Sequence, residues 1–257
     1  QLPFWTYAEP RLLRDTPWLK AWSSPMLRGF GLSAVTVVDL RPPEDFRAGH
    51  LPQSVNLPAS SLRALQHAPD ALAALLLQAG LDPSHEAVLV SEGGLNRDST
   101  MALWLLERAG QRRVSLYLGH VDRWAELGLE LVRPTPAAAA AGQATPAQAR
   151  GTGLTVAVPG GAARGGHFPV VHIASGDRLP TRVPAGRMLH LPHAGLVQAD
   201  GVPRPAADIW ARLDKAGVPR LAQLVLVADD PADAAMNYVV LRLMGFADVT
   251  VADPSGG

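Results

Sequence analysis

VTVVDLRPPEDFRAGHLPQSVNLP, residues Val35 to Pro58, is the stretch that decides how the rest of the chain is read. Val35, Thr36, Val37 and Val38 are apolar or β-branched and run without helical spacing into Asp39-Leu40-Arg41. A short branched run of this kind predicts a strand buried on both faces, as in a parallel sheet. Pro42 and Pro43 end it, because proline has no N–H to give a sheet ladder. Pro43-Glu44-Asp45-Phe46 predicts a single helical turn, with proline at its start and carboxylates at its positive N-terminal end. Gly49-His50-Leu51-Pro52 predicts a turn, and Val55-Asn56-Leu57 a second short strand stopped by Pro58.

The same alternation continues outward. Ala59 to Gly80 is helix-rich, with Gly80 as its C-terminal stop. Ala87 to Val90 predicts a strand that runs into Ser91-Glu92-Gly93-Gly94-Leu95-Asn96-Arg97-Asp98, and a helix follows from about Ser99 to Ala109. Val114 to Tyr117 is a further strand, followed by Gly119-His120 and Trp124. Strand and helix in alternation predict an α/β domain with a mainly parallel sheet flanked by helices. Pro134 to Arg150, PTPAAAAAGQATPAQAR, is a low-complexity Ala/Pro linker. Beyond it the pattern returns weakly. The run 168–173 stands for 35–40, and His190-Leu191-Pro192 stands for Asn56-Leu57-Pro58. A helix is predicted around Ala206 to Ala216. Leu224 to Val227 leads into Ala228-Asp229-Asp230-Pro231, another helix to Met244, and a closing strand at Val249 to Val251.

Strand, Asp-x-Arg, a Phe in the next turn, Gly-His-Leu-Pro and Asn-Leu-Pro, in this order and spacing, resemble the rhodanese family. Two such units resemble its tandem sulfurtransferases over roughly residues 31–253. The expected organisation is an aromatic and proline-rich arm (1–30), a first rhodanese-like domain (31–133), the linker (134–150) and a degenerate second domain (151–257). In the second copy Asp39-x-Arg41 is expected to correspond to His172-x-Ala174. The resemblance implies that Asp39, Arg41, Phe46 and His50 brace the fold rather than carry chemistry.

In the family a cysteine at the end of the central strand carries sulfur as a persulfide. Backbone N–H groups of the following loop, together with the helix N-terminus, face that sulfur. This sequence has no cysteine. The corresponding position is Ser91, or Glu92 one residue on, in the first unit, and Ala228 or Asp229 in the second. A serine hydroxyl is not the thiolate this transfer needs, and an aspartate cannot hold a persulfide. The expectation is a pseudoenzyme with no catalytic residue and no cofactor. It would act as a binding or scaffold subunit of a larger assembly with protein partners, a membrane-associated partner being one option. Gly93, Gly94, Asn96 and Arg97 remain as residues suited to a small anion, so an oxyanion sensor or a sulfur-metabolism relative is the alternative.

Other features are weaker. Asp229, Asp230 and Asp233 are too few oxygens for calcium and read as a solvated loop, with Asp229 capping the next helix. His190 and His193 lack a third zinc ligand. Ser91, Asp98 and His120 invite a hydrolase triad but lack a nucleophile elbow. No metal is expected. Trp5, Trp18 and Trp22 read either as an arm burying its aromatics on the first domain or as a docking surface for a partner. Lys plus Arg and Asp plus Glu both number 23, so no basic surface for nucleic acid is implied. No apolar run reaches the roughly 20 residues of a membrane span. A start at Gln1 rather than Met reads as processing or as trimming, and the expected location is periplasmic or otherwise extracytoplasmic, with cytoplasmic as the alternative.

Overall fold

The computed structural model describes residues 6–22, 34–133, 169–182 and 186–252. Trp5, Phe168, the linker 134–150 and residues 151–167 lie outside the described residues. Two parallel sheets flanked by helices make up the α/β fold.

The first sheet has the order β1-β5-β4-β2-β3. Its strands are β1 (Leu13–Arg14), β2 (Val35–Asp39), β3 (Ser54–Asn56), β4 (Glu86–Val90) and β5 (Arg113–Tyr117). β4 is buried at all five positions and β2 at four of five, which explains why these strands read as continuous apolar runs. Helix α1 (Thr16–Trp22) precedes β2. Between β2 and β3 lies α2 (Pro43–Ala48), entered through proline and carrying Glu44 and Asp45 in its first turn, as its sequence predicts. α3 (Ala59–Ala64) and α4 (Pro69–Gln78) connect β3 to β4. Gly80, at φ +80°, closes α4: its N–H donates to the Leu77 carbonyl and that of Leu81 to the Leu76 carbonyl. That pair of bonds satisfies carbonyls left over at the helix end and needs the left-handed conformation glycine adopts at little cost. α5 (Arg97–Arg108) links β4 to β5, and α6 (Val121–Glu126) follows. α5 begins two residues before the predicted Ser99. Asn96 and Ser99 cap it reciprocally, the Ser99 N–H donating to Asn96 Oδ1 and the Asn96 N–H to Ser99 Oγ.

The second sheet has the order β7-β6-β8-β9, from β6 (Val170–Ala174), β7 (Met188–His190), β8 (Gln223–Val227) and β9 (Val249–Val251). α7 (Ala206–Ala216) precedes β8, and α8 (Pro231–Leu243) joins β8 to β9. Read from the other edge, this is the order β5-β4-β2-β3 of the first sheet.

The compact units do not follow the linker. Among described residues, one gathers 6–13, 94–104 and those from 169 to 252. The other gathers 14–22, 34–93 and 105–133. The arm is divided accordingly. In the first of these units the Tyr7 hydroxyl donates to the Arg204 carbonyl at 2.8 Å, and the Glu9 N–H donates to the Leu243 carbonyl. Burial of Tyr7 pushes its phenol pKa up. In the second, Leu19 is buried in the core with Val37, Val88, Val90, Tyr117 and Trp124, and Trp18 packs against that core. Burial of the arm's aromatics on the first domain alone therefore does not describe Tyr7, which is seated on the segment around Pro203.

Candidate functional site

At the end of β2 the carboxylate of Asp39 is fully buried and faces the guanidinium of Arg41. Arg41 Nη2 lies 2.7 Å from Oδ2, and Nε lies 3.0 Å from Oδ1. The Arg41 backbone N–H also donates to Oδ1, and Nη2 reaches the Gly49 carbonyl at 2.9 Å. A fully buried carboxylate paired with a partly exposed guanidinium offsets much of the desolvation cost it would carry alone. Gly49 begins the Gly-His-Leu-Pro turn, so the pair pins that turn to the strand. His50 stacks on Phe46 with ring centroids 3.8 Å apart, and its Nδ1 lies 2.8 Å from the Phe46 carbonyl. The Asn56 amide donates to the carbonyls of Asp39 and Arg41. The four motif residues thus form two pairs, Asp39 with Arg41 and Phe46 with His50, joined along the chain through Gly49.

The registers of the two sheets allow their positions to be compared. Asp39 pairs with Asn56 and with Val90, and Ala174 pairs with His190 and with Val227. The Leu57 N–H donates to the Asp39 carbonyl, and the Leu191 N–H to the Ala174 carbonyl. Asn56 Nδ2 reaches the Arg41 carbonyl, and His190 Nε2 lies 2.9 Å from the Gly176 carbonyl. The counterpart of Asp39-x-Arg41 is therefore Ala174-Ser175-Gly176, not His172-x-Ala174. Both charges of the pair are absent together, and His190 takes over the contact made by Asn56.

Ser91 and Ala228 follow the two central strands directly and stand at equivalent positions, one after Val90 and the other after Val227. Ser91 is 4% exposed and Glu92 is exposed. Residues 91–96 connect β4 to α5, whereas only 228–230 connect β8 to α8. The longer connection curls through Gly93 (φ +126°) and Gly94 (φ +58°). A Cβ on Gly94 would lie 2.6 Å from the Gly201 backbone, and the Leu95 N–H donates to the Gly201 carbonyl at 2.7 Å. On the other side of the loop, a Cβ on Gly93 would lie 3.0 Å from the His120 ring. Two backbone donors of the loop are thus engaged within the protein, the Leu95 N–H by the Gly201 carbonyl and the Asn96 N–H by Ser99 Oγ.

Arg97 is ion-paired. Its Nη2 meets Asp230 Oδ2 at 2.5 Å and its Nε meets Asp233 Oδ1 at 3.2 Å. His193 Nε2 lies 3.3 Å from the same Asp233 oxygen. Asp230, not Asp229, caps α8, accepting from the Ala232 N–H. Asp229 instead accepts from the backbone N–H and hydroxyl of Thr181, both at 2.8 Å. Those bonds, the backbone one foremost, hold its carboxyl below the usual carboxylate range. The three aspartates are thus distributed over a cap, an arginine and a loop. No group of three or more His, Asp or Glu residues suited to a metal ion occurs among the described residues. Trp18 and Trp22 of α1 pack ring to ring at 5.8 Å, with the Arg14 guanidinium 4.1 Å from the Trp18 ring centre and Trp22 38% exposed. No helix among the described residues is long and apolar enough to cross a membrane.

Residues 26–127 match the family model described as Rhodanese-like domain. Three solved structures share the fold over nearly the whole chain. SseA from Escherichia coli, from a study of 3-mercaptopyruvate sulfotransferases and their "Rhodanese" fold, is 16% identical with a TM-score of 0.64. That match covers 93% of this chain and 96% of SseA. YnjE is also 16% identical at a TM-score of 0.64, and here the match covers 96% of this chain and 65% of YnjE. The anaerobic ergothioneine biosynthesis enzyme from Chlorobium limicola, solved with trimethyl histidine, is 13% identical at 0.64, with 96% and 67% covered. The chain spans about two thirds of these last two. At such identities the likeness is one of fold. No curated protein sequence matches the chain.

Proposed function

We propose that the chain holds two rhodanese-like domains in tandem, both silent in sulfur transfer, and serves as a binding or scaffold subunit of a larger assembly. The observation that carries this reading is the pair of strand ends. Ser91 and Ala228 each follow the central strand of their sheet, and the proposal reads these as the positions of the family's sulfur-carrying thiol in a sequence that contains no cysteine. A hydroxyl is far less acidic than a thiol and a methyl group has no nucleophilic atom, so neither supplies the attacking anion. The second strand end has diverged further, since its connection is three residues long and carries Asp229 and Asp230 where a persulfide anion would need neutral donors. The shared strand order of the two sheets, and the match to SseA across almost its full length, support the tandem reading. For docking, the proposal assigns the face carrying Trp22, with Trp18 beneath it.

Thiosulfate:cyanide turnover by the pure protein tests silence. The expected result is none above the uncatalysed rate, and turnover that disappears when Ser91 is changed to Ala would overturn the proposal. The alternative, an oxyanion sensor at the Ser91–Arg97 loop, draws support from the curl at Gly93 and Gly94. Against it stands Arg97, whose charge is engaged by Asp230 and Asp233. A rise in melting temperature with millimolar sulfate, thiosulfate or phosphate would favour the sensor. An unchanged melting temperature leaves the scaffold.

A further inference from the structure

We draw no further inference here: the strongest candidate, the cluster of Arg97, Asp230, Asp233 and His193 at the start of α8, is an acidic cluster at a helix N-terminus whose charges are paired with one another, and nothing in the structure points to a ligand for it.

Discussion

Replacing Arg41 by Ala removes the cationic partner of a buried carboxylate and leaves it only neutral donors such as the backbone N–H of residue 41. Asp39 is fully buried, and Arg41 supplies its cationic partner through Nη2 and Nε at 2.7 and 3.0 Å. Breaking a buried pair from one side typically costs about 3–5 kcal/mol, because the remaining charge keeps its desolvation penalty. Arg41→Ala belongs at the upper end of that range. Asp39→Ala belongs at the lower end, because the orphaned guanidinium keeps the Gly49 carbonyl and its side chain is already 11% exposed. Removing both charges should cost much less than the sum, with a coupling of about 2 kcal/mol or more. The second sheet has Ala174 and Gly176 at the matching register positions, so its parallel strands form there with neither charge. Urea unfolding followed by circular dichroism reads all three variants. Single changes costing under about 1 kcal/mol, or costs that add in the double variant, would refute the reasoning.

Three further outcomes are expected. Gly94→Ala combines a left-handed φ of +58° with a Cβ 2.6 Å from the Gly201 backbone, whereas Gly80→Ala at φ +80° enters open space. Thermal melts should show only about 1–2 kcal/mol lost at Gly80 and clearly more at Gly94; equal losses would mean that the contact with Gly201 does not constrain the loop. The lowered pKa of Asp229 means that its bonds to Thr181 contribute stability above the unfolded-state carboxylate range, and that this is lost as pH falls through the lower folded value. Asp229→Asn should therefore flatten the acid limb of stability against pH, and an unchanged limb would contradict that assignment. Tyr7→Phe removes the hydroxyl held by the Arg204 carbonyl and should cost about 1 kcal/mol in chemical unfolding; no loss would show that this bond does not help seat the arm.

The first sheet was legible because its punctuation is chemical. Pro42 and Pro43 fix the end of β2, Gly80 fixes the end of α4, and Asp39 and Arg41 mark the register without ambiguity. The second sheet lacks such marks. With Ala174 and Gly176 in place of the charges, a slip of two residues keeps every side chain on its own face, so alternation along β6 gives no warning of it. Pro231 did carry a usable signal, since proline at the first helical position makes the preceding Asp230 the cap. Asn96, three residues before Ser99, likewise marked the true start of α5. The pairing of Arg97 with Asp230, 133 residues apart, and of Tyr7 with Arg204 had no local signature. Only the fold brings those residues together.

The most direct test of the scaffold reading is the native mass of the protein isolated gently from its source, with mass spectrometry of whatever travels with it. The expected result is a stable assembly well above the chain's own 27.2 kDa, containing a defined protein partner that is released when Trp22 is changed to Ala. A lone species at 27.2 kDa under those conditions would contradict the account.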